Sequence, residues 1–117
     1  MDNFYARAVF FVADAERAMK HYTEELGFTL DWDSKDGVFQ VNLFGFELIV
    51  NEVWRDKGPR PGHGRVFIGL DVDQREPFDR HVAAHDIKTE TVQWGRPTTV
   101  IRDLDNNELF FWMPSDE

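Results

Sequence analysis

The chain has 117 residues, 42% of them hydrophobic, no cysteine, and a formal net charge of -9. This length fits one domain with a buried core, and the missing cysteines exclude disulfides, thiolate metal sites and cysteine nucleophiles. The acidic balance without a basic run argues against a nucleic-acid partner, and it either favours cationic ligands or serves solubility alone. No apolar run approaches the ~20 residues of a membrane span, and the N-terminus has no signal-peptide pattern. A cytoplasmic location without membrane contact is therefore predicted.

The first half of the chain predicts a strand, a helix and three further strands. Residues 8–12 are apolar and either β-branched or aromatic, as expected of a strand. Asp14 is suited to cap the N-terminus of a helix, and Gly27 is suited to end it as the C′ residue. Three strand candidates separated by turn residues follow at 28–33, 37–44 and 46–53.

The second half predicts the same elements in the same order. A loop rich in glycine and proline, residues 56–64, precedes a strand at 66–72. A helix is predicted from about residue 76 to 85, with Pro77 tolerated in its first turn. Further strands are predicted at 88–93, 98–103 and 108–113, with a turn at 105–107. The order β-α-β-β-β therefore occurs twice.

The two halves also share a faint sequence repeat. RAVFFV at residues 7–12 returns as RVFIGL at 65–70, and LFGFELIV returns later as LDNNELFF. A repeat used only twice is too short for a solenoid. It predicts a single domain, residues 1–117, built from one module at about 1–57 and a second at about 65–117, with a cleft where they meet.

Two segments carry a family resemblance, VADAERAMKHYTEELGF (12–28) and WGRPTTVIRDLDNNELFFW (94–112). They resemble the vicinal-oxygen-chelate superfamily, which includes glyoxalase I, extradiol dioxygenases and bleomycin-resistance proteins. The second segment is most similar to the bleomycin-resistance branch. It departs from the family pattern at Leu104, which replaces a proline, and at Asn106, which replaces a glycine. Asparagine tolerates the left-handed conformation, so the turn is expected to survive.

The resemblance implies an α+β fold and a mode of assembly. Two βαβββ modules form a curled mixed sheet around a ligand cleft, and the family is often a homodimer with swapped modules. The implied partner is a small-molecule ligand, and the implied role is antibiotic resistance in the cytoplasm.

The same resemblance allows a test for a metal site. The family's metal enzymes take ligands from the first and last strand of each module. In this chain those positions fall at Arg7, Ile49, Arg65 and Phe110. Arginine has no lone pair to donate at neutral pH, and Ile and Phe have no donor atom. We therefore predict no metal, no cofactor and no catalytic residue. A register shift of two residues would keep the strand face and offer Glu47 and Glu108, which leaves a hard cation as an alternative.

Strand alternation assigns one face of each sheet to the cleft. The predicted ligand-binding residues lie on those faces or flank them: Arg7, Phe11, Trp32, Gln40, Asn42, Glu47, Ile49, Arg65, Phe67, Trp94, Glu108, Phe110 and Trp112. Two alternatives stay open here. The glutamates and arginines of this set can pair with each other across the pseudo-twofold, since buried charges are normally paired. The tryptophans can serve only packing.

These features predict a metal-free small-molecule binding protein of the bleomycin-resistance type, which sequesters an aromatic or cationic ligand in a dimer cleft. The first alternative is a metal-dependent enzyme of the same superfamily, a glyoxalase-like lyase or a dioxygenase. The second is a regulatory or interaction module with a vestigial cleft. Enzymatic activity is left open at this point, and a protein without it is favoured.

Overall fold

The computed structural model describes residues 4–53 and 60–113, and it shows the predicted order of elements in both halves. The first module contains strand β1, helix α1, which continues into a π-helical turn, and strands β2, β3 and β4. Their bounds are Ala8–Val12 (β1), Ala15–Lys20 (α1), His21–Glu25 (π turn), Thr29–Asp33 (β2), Val38–Leu43 (β3) and Phe46–Glu52 (β4).

The second module repeats this order, with a 3-10 turn before its helix. Its elements are Arg65–Gly69 (β5), Val72–Gln74 (3-10 turn), Arg75–Ala84 (α2), Glu90–Trp94 (β6), Arg96–Arg102 (β7) and Glu108–Trp112 (β8). Val72, which was predicted at the end of a strand, is instead 70% exposed in the 3-10 turn. The reason is local, because Gln74 Oε1 accepts a hydrogen bond from the backbone of Asp71 at 2.7 Å and starts the helical segment early.

The predicted helix signals in the first module are confirmed. The Asp14 carboxylate accepts the N–H of Arg17 at 3.1 Å, and Gly27 follows the helical segment with φ +74°. A Cβ on Gly27 would lie 2.6 Å from side-chain atoms of both His81 and His85. Glycine at this position therefore serves the turn and also lets α2 approach the first module closely.

The strands form two four-stranded sheets with matching topology. Their orders are β1-β4-β3-β2 and β5-β8-β7-β6. In each sheet the first strand pairs in parallel with the last, and the other pairs are antiparallel. The predicted two-module α+β fold is confirmed, with the strands divided between two sheets that do not close into one. Of the predicted loop 56–64, residues 56–59 lie outside the described residues, and 60–64 contain no helix or strand.

One hydrophobic core joins the two modules. Phe10 and Val12 of β1, which alternate with Phe11, share this core with Leu109 and Phe111 of β8. Because one face of each sheet packs into this common core, the other face of each sheet points away from it. We call these outer faces the concave faces, after the curl around a cleft that the family resemblance implies for this side of the sheets. The first contains Arg7, Val9, Phe11, Gln40, Asn42, Glu47 and Ile49; the second contains Arg65, Phe67, Trp94, Glu108, Phe110 and Trp112.

A buried carboxylate ties the modules together beneath the concave faces. Asp103, 5% exposed, accepts four hydrogen bonds. They come from the Tyr22 hydroxyl (2.8 Å), the Asn107 side chain (2.9 Å) and the backbone N–H groups of Asp105 (2.9 Å) and Asn107 (2.8 Å). Burial, together with the Asp103 charge, raises the pKa of Tyr22 well above its ordinary value. The two modules therefore have a fixed relative position. No helix within 4–53 or 60–113 is long and apolar enough to span a membrane.

Candidate functional site

The first concave face contains an exposed ion pair. Val9 lies opposite Ile49 in the parallel register of β1 and β4, which places Arg7 beside Glu47. Arg7 Nε donates to Glu47 Oε1 at 3.1 Å and a second guanidinium nitrogen contacts the Tyr5 hydroxyl. The side chains are 32% and 40% exposed, so the pair contributes little to stability.

A β-bulge in the edge strand β2 adds a carboxylate to this face. The register with β3 shifts between Leu30 and Trp32, and the extra residue is Asp31. Asp31 accepts hydrogen bonds from Gln40 Nε2 at 2.8 Å and from Asn42 Nδ2 at 2.6 Å. The bulge therefore brings Asp31 to the concave face next to Trp32, the cross-strand partner of Gln40.

Asp31 is a site residue that the sequence reasoning missed. Strict alternation along β2 does not place Asp31 and Trp32 on one face, and only the bulge does so. The signal was present in β3, because two neighbouring amides on one face of a strand need polar partners. Gln40 is 4% exposed, and its Oε1 has no hydrogen-bond partner among the described residues.

The second concave face has a denser ion-pair network. Glu108 accepts from Arg65 at 2.8 Å and from Arg102 at 3.0 Å, and Arg102 also pairs with Glu90. The Glu108 side chain is only 18% exposed. Burial alone would raise its pKa, but the hydrogen bonds and charges of Arg65 and Arg102 outweigh burial and lower the pKa of Glu108.

Four aromatic rings meet beside this network; we call Phe67, Trp94, Phe110 and Trp112 the aromatic cluster. The ring centroids of Phe67 and Trp94 are 4.8 Å apart, and those of Trp94 and Phe110 are 4.9 Å apart. Both pairs are edge-to-face, a favoured aromatic geometry. Phe67 and Trp94 are 41% and 45% exposed. Trp94 lies one residue beyond the predicted strand 88–93 and is the last residue of β6, and Gly95 (φ +77°) forms the bend to β7.

Arginine side chains lie over the rings of the aromatic cluster. Arg65 Cζ is 4.8 Å from the centroid of Phe110, and Arg96 Cζ is 3.9 Å from that of Trp112. Arg96 also donates to the carbonyl of Met113 at 2.9 Å, and within the described ranges it pairs with no carboxylate. The second face is therefore aromatic and locally cationic.

The predicted ligand-binding residues divide between the two faces. Those of the first sheet are Arg7, Phe11, Trp32, Gln40, Asn42, Glu47 and Ile49, and those of the second are Arg65, Phe67, Trp94, Glu108, Phe110 and Trp112. The ion pairs form within each sheet rather than between the sheets. A cavity of about 570 Å³ at the start of β8 is lined by Arg65, Arg102 and Glu108 together with residues of the 62–64 and 103–107 loops, and by no residue of the first face. The predicted residues of the protomer therefore lie in two separate groups, one on each face.

The residues at the family's metal-ligand positions do not fit a metal. They are two guanidinium groups and two hydrocarbon side chains, at Arg7, Ile49, Arg65 and Phe110. The alternative ligands offered by a register shift of two residues, Glu47 and Glu108, do not form a metal site either. They lie on different sheets, and each is paired with an arginine. Within residues 4–53 and 60–113, no group of three or more His, Asp or Glu side chains is placed to hold an ion. The donor set therefore supports no step through a metal.

Comparisons with solved structures place this fold among proteins of several functions. A bleomycin-binding protein from Streptomyces verticillus, solved with copper(II)-bleomycin, is 18% identical; the match covers 98% of this chain and 100% of that one, with a TM-score of 0.69. A lactoylglutathione lyase from Agrobacterium tumefaciens is 14% identical over 96% of this chain and 94% of that one (TM-score 0.66). The fosfomycin resistance protein FosX from Listeria monocytogenes is 11% identical over 100% and 95% (TM-score 0.61). No curated protein matches the sequence.

A family model matches nearly the whole chain, residues 5–111. That range includes both modules, both ion pairs and the aromatic cluster up to Phe110. The resemblance inferred from the two sequence segments is thereby confirmed. The chain belongs to the Glyoxalase/Bleomycin resistance protein/Dioxygenase superfamily.

Proposed function

We propose that this protein binds, without a metal, a small molecule that carries an aromatic ring. The aromatic cluster is the single observation that supports this most strongly. Phe67 and Trp94 are about half exposed on a concave face, although each is large enough to stabilise a core. Large exposed rings arranged around a concavity are typical of a ligand site.

The residues at the metal-ligand positions favour binding over metal-dependent catalysis. Arg65 and Phe110 touch each other at a position where a lyase or dioxygenase of the superfamily needs donor atoms. We therefore favour a protein that sequesters its ligand, as the bleomycin-resistance type does, and we place it in the cytoplasm.

We further propose that the cleft is built by a module-swapped homodimer. The two groups of predicted ligand-binding residues lie on separate sheets of the protomer, and Phe67 and Trp94 of the second sheet are left about half exposed. Pairing the first face of one protomer with the second face of its partner would cover the exposed rings and form two equal clefts. An antibiotic is a reasonable first ligand to test, because a bleomycin-binding protein and a fosfomycin resistance protein share the fold.

Calorimetric titration tests this proposal. Bleomycin and a set of naphthalene derivatives are the probes. Replacing Phe67→Ala is expected to weaken binding of the aromatic probes by about tenfold or more, since it removes the ring that contacts all three others in the cluster. Phe4→Ala is the matched control, because Phe4 is 97% exposed and makes no ring contact among the described residues. Failure of every probe to bind the native protein would refute the proposed function.

A further inference from the structure

We propose that Asp31 and Trp32 bind an organic cation, an ammonium or amidinium group carried by the aromatic ligand. This inference rests on the proposed function and assigns a distinct chemical task to each concave face. The first face would recognise the cationic group, and the aromatic cluster of the second face would recognise the ring.

The β-bulge supplies the geometry. It brings two consecutive residues of β2, a carboxylate and an indole, to the same concave face. Bulges beside a binding site commonly re-aim a side chain in this way. Trp32 is 40% exposed, so part of the residue is open to solvent. A carboxylate next to an aromatic face is the combination that attracts organic cations, by charge and by the quadrupole of the ring.

The charge of Asp31 is held in place but not neutralised. Its two oxygens each accept one hydrogen bond, from the amides of Gln40 and Asn42. A carboxylate has about four acceptor positions, so each oxygen can accept a further donor. Throughout the described ranges, no Lys, Arg or His lies within ion-pair distance of Asp31. In contrast, the concave-face carboxylates Glu47 and Glu108 each have an arginine partner.

Gln40 supplies a second, independent indication of a missing donor. Its amide orientation is fixed, because the Asp31 carboxylate accepts and only Nε2 can donate to it. Oε1 is thereby left buried and unsatisfied, with Gln40 only 4% exposed. An unmet acceptor of this kind destabilises the fold. A ligand bearing several N–H donors would meet the carboxylate and, after a shift of the neighbouring Trp32, this carbonyl as well.

The second face argues against a cation there. Arg65 and Arg96 already lie over rings of the aromatic cluster. A third guanidinium, that of Arg102, lies beside them. Arg65 and Arg102 are paired with Glu108 and Glu90, so the excess positive charge on this face is that of Arg96, which disfavours a ligand cation and leaves a neutral ring unaffected. The ligand class that suits both faces is therefore an aromatic ring system with a separate, protonated nitrogen group.

Three probes that share one ring test this assignment: 2-naphthylmethylammonium, 2-naphthalenemethanol and 2-naphthaleneacetate. With native protein we expect the ammonium probe to bind about tenfold more tightly than the alcohol, and the acetate to bind most weakly. Asp31→Asn is expected to abolish the preference for the ammonium probe and to leave the affinity for the alcohol unchanged. The alcohol thus reports whether the variant is still folded.

The matched control is Asp79→Asn on α2, which changes the net charge equally and lies outside both concave faces. It should keep the preference for the ammonium probe. If the two substitutions had equal effects, the preference for the ammonium probe would come from the net charge of the protein and not from a site, and the assignment to Asp31 would be overturned. Tight binding of the alcohol without any preference for the ammonium would also overturn it, while leaving the proposed function intact. No binding of any probe would refute both.

Discussion

The two concave faces share one plan and differ in chemistry. In both, an arginine at the start of the first strand pairs with a glutamate of the parallel last strand, Arg7 with Glu47 and Arg65 with Glu108. On the first face this pair is exposed, and the additional polar groups are amides around Asp31. On the second face the glutamate is largely buried between two arginines, and the neighbouring residues are aromatic.

This difference locates the functional specialisation. The residues that form the common core are apolar in both modules, as a shared fold requires. Only the outer faces diverge, and fold membership leaves their chemistry free to vary. The two modules therefore share an apolar core and differ on their outer faces, one acidic with amides and one aromatic with arginines.

Asp103 hydrogen-bonds Tyr22 of the other module, so replacing it tests whether this contact fixes the relative position of the two modules. Asp103→Ala would leave the Tyr22 hydroxyl and the Asn107 amide without their acceptor in a buried location. We expect the free energy of unfolding to fall by about 3–5 kcal/mol, measured by urea denaturation. Tyr22→Phe, which removes one donor and leaves the acceptor, should cost about 1–2 kcal/mol. If Asp103→Ala lowered the free energy of unfolding by less than the about 1–2 kcal/mol expected for Tyr22→Phe, apolar contacts alone would fix the modules.

The second prediction asks whether the two concave faces meet across a dimer. Trp32→Ala damages only the first face and Trp94→Ala only the second, and each is expected to weaken binding of 2-naphthylmethylammonium, which needs both faces, by about tenfold or more. When both variants are co-expressed, about half of the dimers are mixed, and one cleft of each mixed dimer is undamaged, so about one quarter of all clefts should bind with native affinity. Calorimetric stoichiometry measures this fraction.

The outcome distinguishes two architectures. If both faces of a cleft came from the same chain, every cleft would contain one damaged face, and mixing would restore nothing. A recovered fraction would therefore require swapped modules. If Trp32→Ala alone had no effect on binding, the first face would not contact the probe.

The sequence predicted the fold and the composition of the faces better than it predicted the site. Alternation with period two is enough to separate Phe11 from Phe10 and Val12, because burial of one sheet face enforces it. The same rule fails at Asp31, since a bulge is set by pairing with the neighbouring strand and leaves no mark in the strand's own pattern. The division of the predicted residues between two faces was also out of reach. It follows from how the two sheets pack, which no single segment encodes.

The smallest expected effect concerns the two glutamates. Glu108→Gln should lower the free energy of unfolding by about 1 kcal/mol at neutral pH. The substitution replaces a largely buried carboxylate with a neutral amide and so removes its ion pairs with two arginines. Glu47→Gln is the matched control on the other face. It should cause no measurable loss, since its pair with Arg7 is well exposed. Equal losses would mean that the two ion pairs are equivalent and that the faces differ only in their aromatic residues.

The pH dependence of this effect follows from the lowered pKa of Glu108. Its ordinary value is 4.5, and in the folded protein the pKa lies below it. The folded state therefore releases this proton more readily than the unfolded state, and the carboxylate stabilises the fold fully above the ordinary value. That contribution is lost as the pH falls through the folded-state pKa. The stability gap between the native protein and Glu108→Gln should accordingly be constant above about pH 6 and should shrink below 4.5. A gap that widened on acidification would mean that burial, and not the two arginines, controls this carboxyl group.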